Sequence, residues 1–343
     1  IEVPINRRTW NNKITLIDCS QHNLKNITVN IPLNVLTVVT GVSGSGKTSL
    51  IKNILYPGAL RETQQYSTQK VGEVKDITGD LTAFSTVEMV DQNPIGKSSR
   101  SNPVTYVKAY DGIRELFASM QLSKQRGFKT KHFSFNVEGG RCDNCQGEGE
   151  EVVEMQFMAD LHLKCEECGG RRFKDEVLEV EYRGKNIFDV LELTVDEAIE
   201  FFKGQRSIVS KLNPLHDVGL GYVKLGQGSN SLSGGEAQRI KLATFLAKSQ
   251  SKDKVLFIFD EPTTGLHFHD IKKLLKSFNA LIDKGHSIVV IEHNLEVVKC
   301  ADYVIDLGPE GGDRGGNLVF EGTPEDLIKC DASLTGKYLA AKL

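Results

Sequence analysis

A phosphate-binding loop constrains the fold of this chain more than any other sequence feature. Residues Gly41–Thr48 read Gly-Val-Ser-Gly-Ser-Gly-Lys-Thr and satisfy the pattern G-x-x-x-x-G-K-[ST] in full. The apolar run 35–39 before the loop predicts a strand, and a helix is expected from Lys47 to about Leu55. Because such a loop curls backbone N–H groups around phosphates, the sequence predicts an α/β fold that binds ATP or ADP.

The polar residues of the loop have expected roles. Lys47 is expected to neutralise β- and γ-phosphate oxygens during catalysis, and the Thr48 hydroxyl is expected to bind Mg²⁺. An ordinary glycine turn is the alternative, but the strand before the loop and the helix after it argue against that interpretation. The predicted nucleotide contacts in this loop are Gly41, Ser43, Gly44, Ser45, Gly46, Lys47, Thr48 and Ser49.

Further candidate catalytic residues follow apolar strands. Asp260 comes directly after the run 255–259, where a carboxylate is costly unless it meets a cation, and the Mg²⁺ shell is its expected partner. Glu261 is expected to polarise water as a general base; capping of the next helix is the alternative role for this acidic pair. Gln92 and His293 each follow another predicted strand. We expect Gln92 to sense or bind Mg²⁺ and His293 to contact the γ-phosphate, although either could be an ordinary loop residue.

Two Cys-x-x-Cys pairs separated by nineteen residues form the second strong motif, Cys142–Cys145 and Cys165–Cys168. Each pair can hold one side of a tetrahedron, so the spacing predicts one Zn²⁺ per chain, bound by Cys142, Cys145, Cys165 and Cys168. Four thiolates leave no open coordination position, so the zinc is expected to be structural. Disulfides are the alternative, but they are rare in cytosolic chains.

The charge distribution is uneven although the net charge is only −3. Between Lys97 and Arg141, nine Lys or Arg residues face three acidic residues, whereas between Cys142 and Cys168 eight acidic residues face one lysine. The basic segment could be a solvated face or a surface that binds phosphates, since neutralised phosphates release counterions. The acidic cysteine segment does not suit a phosphate backbone, but Arg171 and Arg172 follow directly after it.

Strands and helices alternate along most of the chain, which predicts a mainly parallel sheet covered by helices. A nucleotide-binding domain is expected from residues 1–95 and 225–343, with an inserted domain at 96–224 that contains the zinc module at about 138–173. We expect a helix over 103–120, and residues 57–85 are expected to be variable surface. The predicted strands are 13–18, 27–31, 35–39, 87–91, 176–182, 255–259, 287–291 and 303–306.

The apolar runs of the chain are strand-length, far short of the roughly 18–20 residues of a membrane-spanning helix, so no membrane contact is expected. No signal peptide is visible, which favours a cytoplasmic location. Because the chain begins at Ile1 without a methionine, it is expected to be a fragment of a longer protein.

The run Leu232-Ser-Gly-Gly-Glu236, together with the motifs above, resembles the signature of ABC-type ATPases. In that family the signature closes over a nucleotide held by a second ATPase module. The resemblance implies that Ser233, Gly234 and Gly235 contact ATP bound by that module. It also implies that this chain alone hydrolyses ATP weakly or not at all.

Several further runs make the resemblance more specific. The cysteine pairs with their flanks, Gly219–Tyr222, Asp260–His267, Ile291–Asn294 and Asp306–Asp313 are similar to the C-terminal half of the UvrA family of excinuclease subunits. Residues 91–96 and 101–106 are also similar to that family. Residues 58–86 match it only weakly, residues 129–132 replace a Pro-Gly-containing stretch, and Arg314 interrupts a glycine run.

The UvrA resemblance implies an ATP-dependent subunit of nucleotide excision repair that binds damaged double-stranded DNA and loads UvrB. It also implies a UvrA homodimer and a second ATPase module in the same full-length chain. A UvrA-like paralogue in drug resistance, without UvrB loading, is the alternative; a transporter-associated ATPase is disfavoured by the zinc insertion. The candidate DNA contacts are Lys97, Arg100, Lys131, Arg141, Arg171 and Arg172.

Overall fold

The computed structural model describes residues 1–63, 65, 68–93, 95, 100–153, 161–247 and 253–343. Lys97 therefore lies outside the described residues. The strands in chain order are β1 (Lys13–Cys19), β2 (Ile27–Pro32), β3 (Leu36–Gly41), β4 (Val74–Gly79), β5 (Thr86–Val90), β6 (Glu150–Val153), β7 (Leu161–Lys164), β8 (Val255–Asp260), β9 (Ser287–Ile291), β10 (Tyr303–Gly308) and β11 (Asn317–Gly322).

The helices alternate with strands only in part, since α-helices follow one another after β5 and again after β7. A π-helical segment, Ser49–Leu55, continues directly into α1 (Tyr56–Glu62). The other α-helices are α2 (Pro103–Tyr106), α3 (Ala109–Ala118), α4 (Gln121–Arg126), α5 (Asp175–Leu178), α6 (Ile187–Glu192), α7 (Val195–Phe201), α8 (Arg206–Asp217), α9 (Gly234–Ala247), α10 (Phe268–Ile282), α11 (Leu295–Val298), α12 (Pro324–Leu327) and α13 (Leu334–Leu339). Among the described residues, no helix is long and apolar enough to cross a bilayer.

The chain forms two compact units, Ile1–Gln92 with Lys248–Leu343, and Asn93–Ala247. The first unit contains a six-stranded sheet in the order β11-β10-β3-β9-β8-β5, and a three-stranded antiparallel sheet in the order β2-β1-β4. In the large sheet the strands are parallel except β11, which runs antiparallel to β10. The prediction of a mainly parallel α/β sheet with helices is confirmed.

The register of the large sheet positions the candidate site. Gly41 at the end of β3 lies opposite Leu307 of β10, while Asp260 of β8 lies opposite Ile291 of β9. Because parallel strands end at the same sheet edge, the loops that follow β3, β8, β9 and β10 all meet there. β9 is buried at every residue, since it lies inside the sheet between β3 and β8.

The second unit is mainly helical. Its core contains large buried aromatic side chains, and the β6–β7 hairpin lies in the cysteine segment. The predicted domain boundary at residue 225 differs from the observed units, which place residues 225–247 in the second unit. Val104 N–H donates to the Leu225 carbonyl, and Ser229 N–H donates to the Ser101 carbonyl, so this stretch pairs with the start of that unit.

Three local predictions were wrong. The predicted helix over 103–120 is interrupted at Lys108, whose φ of +60° is left-handed, so α2 and α3 are separate. The predicted strand at 176–182 is the short helix α5 followed by a turn, because Val177 and Leu178 are buried from one helical turn. Residues 57–85 are not merely variable surface, since they contain α1 and β4, and β4 pairs with β1.

Candidate nucleotide and metal sites

The phosphate loop lines a cleft of about 520 Å³ at the carboxyl edge of the large sheet. At Gly41 the backbone has φ +130°, and a Cβ there would lie 2.0 Å from the Leu307 carbonyl oxygen, so only glycine fits. The predicted nucleotide contacts that line this cleft are Gly41, Ser43, Gly44, Gly46, Lys47, Thr48 and Ser49.

Lys47 is the cation of the cleft. Its Nζ donates to the carbonyl oxygens of Gly41 and Val42, at 2.8 Å each, so the ammonium closes its own loop. Burial lowers the pKa of Lys47, and the carboxylates of Glu261 and Asp306 act in the opposite direction. A partly buried ammonium whose partners are neutral carbonyls is suited to receive phosphate oxygens.

Ser45, the remaining predicted contact of the loop, does not line the cleft. Its side chain is fully buried, and its hydroxyl has no hydrogen-bond partner among the described residues. Ser49 instead bonds at 2.9 Å to His22 Nδ1. The loop therefore keeps a buried hydroxyl that is unpaired among the described residues, two positions before Lys47.

The carboxyl edge of the large sheet also brings together Glu261, His293 and Gln92. Glu261 and His293 line the cleft with Thr48, and His293 Nδ1 lies 3.8 Å from Glu261 Oε1. Glu261 adopts φ +46°, a left-handed conformation that is unfavourable for glutamate, and its N–H donates to the Ile291 carbonyl at 2.9 Å. Gln92 Nε2 donates to the Glu261 carbonyl at 3.3 Å. The structure thus brings together the residues predicted as base, phosphate contact and metal sensor.

Asp260 meets a cation that the sequence analysis did not identify. Its Oδ2 lies 2.5 Å from Nζ of Lys52. Lys52 lies five residues after Lys47, in the helical segment that follows the phosphate loop. Its spacing from Lys47 was the signal in the sequence that could have identified it. The Mg²⁺ contact of Asp260 stays a prediction, because in this structure the carboxylate is paired with the Lys52 ammonium.

The loop after β10 supports the phosphate loop. This support was not predicted from the sequence. Gly312 N–H donates to the Gly44 carbonyl at 3.0 Å, and Gly316 N–H donates to the Ser45 carbonyl at 3.2 Å. Asn23 Nδ2 bonds to the carbonyl oxygens of both Gly44 and Gly312, at 2.8 and 2.9 Å. The phosphate loop is therefore held in place by backbone and side-chain contacts on its outer side.

The signature residues lie in the second unit, at the start of α9. Ser233 is exposed and its Oγ accepts from the Glu236 N–H at 3.3 Å, while Glu236 Oε2 accepts from the Ser233 N–H at 2.8 Å. This reciprocal pair caps the helix at Gly234 and Gly235. Burial raises the pKa of Glu236, but hydrogen bonds from Tyr222 and Ser233 outweigh it and lower the pKa overall.

The four predicted zinc ligands form one cluster. Their sulfur atoms all lie within 4.8 Å of one another, with Cys142 and Cys165 4.0 Å apart and Cys145 and Cys168 3.7 Å apart. Tetrahedral thiolate coordination at about 2.3 Å places sulfurs about 3.8 Å apart, so the cluster fits zinc. The prediction of a four-cysteine metal site therefore agrees with the structure.

Two sulfurs of the cluster accept hydrogen bonds from neighbouring N–H groups. Asn144 Nδ2 donates to the Cys165 sulfur at 3.3 Å, and Gly149 N–H donates to the Cys145 sulfur at 3.2 Å. Burial raises the pKa of Cys165, but hydrogen bonds from the Cys168 backbone N–H and the Asn144 side chain outweigh it and lower the pKa to about 7, whereas burial raises the pKa values of Cys142 and Cys168. A negatively charged sulfur is the form that binds metal.

Several candidate DNA contacts are engaged in local interactions. Arg100 Nε lies 2.6 Å from Glu148, and Arg171 pairs with Asp175 at 2.8 Å. The Arg172 guanidinium lies over the Phe135 ring at 5.5 Å. The guanidinium groups of these arginines, which were predicted to contact DNA phosphates, therefore already have partners within the protein.

Arg141 and Lys131 differ in exposure. The Arg141 side chain is only 13% exposed, and its Nη1 donates to the Asn136 carbonyl at 3.4 Å. Lys131 is exposed and has no ion pair among the described residues. Of the described candidates, Lys131 is therefore the most available to a phosphate.

Known proteins with similar sequences and structures carry the name UvrA. No family model matches the chain. UvrABC system protein A is 52% identical in Clostridium perfringens and 54% identical in Aquifex aeolicus, in each case over 99% of this chain and 36% of the relative. The crystal structure of UvrA2 from Deinococcus radiodurans matches with a TM-score of 0.91 at 44% identity, over 100% of this chain and 41% of that one. The resemblance to UvrA is therefore confirmed over nearly the whole length of this chain, which spans about 36% of the length of these curated relatives.

Proposed function

We propose that this chain is an ATP-binding module of a UvrA-type repair protein and corresponds to the C-terminal half of that protein. The observation that carries the proposal is the cleft in which Lys47, Thr48, Glu261 and His293 converge. A cation, a hydroxyl and a carboxylate around one glycine loop are the groups that phosphoryl transfer to water requires.

In this proposal each residue acts on MgATP. Lys47 neutralises the phosphate oxygens. Thr48, Gln92 and Asp260 would hold Mg²⁺, for which Asp260 would exchange the Lys52 ammonium, and the ion would offset the negative charge that develops on the γ-phosphate. Glu261 accepts the proton of the attacking water, and ADP and phosphate are released. His293 contacts the γ-phosphate from the neighbouring loop.

Hydrolysis needs two modules in this proposal. Ser233 and the helix that begins at Gly234 point at a nucleotide held by the other module, where a helix N-terminus stabilises negative charge. The chain spans 36% of its curated relatives, so the rest of the full-length protein would supply that module. The isolated chain is expected to bind ATP and to hydrolyse it weakly.

The macromolecular partners in this proposal are damaged double-stranded DNA, a second UvrA copy and UvrB. The relatives are named as protein A of the UvrABC system, and the segment from Lys97 to Arg141 is basic. Phosphate contacts would give affinity, and the deformability of damaged DNA would give selectivity without a base code.

The direct test is binding of the full-length protein to a duplex with one bulky lesion and to the same duplex without it. We expect tighter binding to the lesion, with affinity that falls steeply as salt rises. Negligible, salt-insensitive binding to both duplexes would contradict the proposal.

A UvrA-like paralogue without UvrB loading is the second candidate, and the likeness to UvrA2 favours considering it. The full reading frame distinguishes the two. A first ATPase module with a UvrB-docking insertion supports the repair subunit, and absence of that insertion supports the paralogue.

A further inference from the structure

A buried carboxylate links the loop that carries Glu261 to the loop that carries His293. Glu292 follows β9 directly, and it is only 1% exposed. A buried carboxylate is costly unless donors satisfy it, and the structure records no cation paired with Glu292 among the described residues. Its two oxygens accept four hydrogen bonds instead, all from neutral groups.

The two oxygens of Glu292 serve different loops. Oε1 accepts from the N–H of Thr263 at 3.0 Å and from the hydroxyl of the same residue. Oε2 accepts from the backbone N–H groups of His293 and Asn294, at 2.8 Å each. One side chain therefore joins the loop after β8 to the loop after β9.

The Thr263 end of this link is close to the candidate base. Thr264 closes a tight turn on Glu261, since both its N–H and its hydroxyl donate to the Glu261 carbonyl, at 3.2 and 3.0 Å. Thr263 lies inside that turn. Because Glu261 holds a left-handed backbone conformation, its position depends on contacts that fix the turn.

We propose that Glu292 is a positioning residue that fixes Glu261 and His293 relative to each other for ATP hydrolysis. This inference rests on the proposed ATPase function and names a residue that does not itself touch the nucleotide. Small displacements of a catalytic group reduce turnover strongly, up to about a hundredfold for roughly 1 Å.

Glu292→Gln tests the link with little change in volume. The amide keeps one accepting oxygen and presents an NH₂ group to the other loop, so one of the two loops loses both of its hydrogen bonds. In the full-length protein we expect kcat for ATP hydrolysis to fall by about tenfold or more. The dissociation constant for ATP should stay within about twofold, because the phosphate loop is untouched.

Glu296→Gln is the matched control. Glu296 is also a buried carboxylate, 6% exposed, but its partners are Lys299 at 2.7 Å and Lys342 at 2.8 Å. We expect this variant to lower the melting temperature and to leave kcat unchanged. A Thr263→Val variant should reduce kcat as well, and combining it with Glu292→Gln should add little, because both remove the same link.

The outcomes separate the inference from the function on which it rests. If the wild type shows no hydrolysis above a Lys47→Ala background, the ATPase proposal fails and the inference fails with it. If the wild type hydrolyses ATP and Glu292→Gln retains normal kcat, only the positioning role is overturned. Equal loss of kcat in Glu292→Gln and Glu296→Gln, in proportion to lost stability, would also overturn it.

Discussion

Removal of zinc from the cluster of four cysteines is expected to unfold one part of the second unit and leave the rest intact. The sulfur separations of 3.7 and 4.0 Å match tetrahedral coordination, so the ion would take the place of a small core. The perturbation is chemical extraction of zinc with a thiol-reactive mercurial and a chelator, followed by return of the thiols to their reduced state.

The structure indicates why the effect should be large and local. In the hairpin, Val152, Leu161 and Leu163 are 54%, 51% and 47% exposed, so the cysteines themselves form the buried cluster of this segment. Structural zinc sites contribute about 10–16 kcal/mol of apparent binding free energy, comparable with or above the roughly 5–15 kcal/mol stability of a whole domain. The aromatic core around Phe117 and Phe133 does not use the sulfurs and should persist.

Hydrogen–deuterium exchange with mass spectrometry measures this directly. We expect amides of 141–153 and 161–173 to lose protection after zinc extraction and to regain it when zinc is restored, while β3 and β9 do not change. Elemental analysis should find one zinc per chain. Cys145→Ser should lose the metal, and Cys300→Ser, outside the cluster, should keep it.

Two results would refute the reasoning. Unchanged exchange across the hairpin after zinc extraction would mean that other contacts hold the module. Purified protein that contains no zinc but has protected hairpin amides would mean that this segment folds without a metal.

Three further predictions concern catalysis, DNA and pH. Glu261→Gln should retain ATP affinity and stall turnover in the full-length protein; normal turnover would exclude Glu261 as the base. Lys131→Ala should weaken DNA binding and lower the slope of log affinity against log salt by about one. Arg100→Ala should change that slope less, because Arg100 is already paired with Glu148. Equal changes of slope in the two variants would contradict this prediction. Burial and two nearby lysines lower the pKa of His286, whose Nδ1 accepts from the Val255 N–H. The unfolded chain therefore takes up the proton first as the pH falls. We expect the free energy of unfolding to decrease as the pH drops below about 6.5. The loss of melting temperature between pH 7.5 and 5.5 should be smaller in His286→Gln, and an identical loss would refute the assignment.

Much of the first unit could be predicted because its signals are local. The apolar runs of β3, β8 and β9 and the glycine loop lie within short windows, so sequence patterns identified them. β4 was missed because Ile77 is its only buried residue, which leaves no alternation to detect. β4 forms by pairing with β1, a contact that no local pattern encodes.

The candidate site shows the same division. Lys47, Thr48, Glu261 and His293 follow from motifs, whereas the residues that support them follow from distant contacts. Asn23 bonds to Gly312 across 289 positions of sequence, and Lys52 pairs with Asp260 across 208. The sequence identified Glu292 only as part of the run 291–294 that resembles UvrA. Its hydrogen bonds to Thr263 join two loops that are far apart in sequence, so no local pattern predicts them.

Nucleotide binding by this chain is the most direct test of its central assignment. Titration of a fluorescent ATP analogue with Mg²⁺ should show saturable binding to one site, displaced by ATP. Lys47→Ala should weaken the affinity by roughly tenfold to a hundredfold or abolish binding, because hydrogen bonds to charged groups contribute about 1.5–3 kcal/mol. Equal affinity in the wild type and Lys47→Ala would contradict the assignment of the phosphate loop, and with it the account of the whole site.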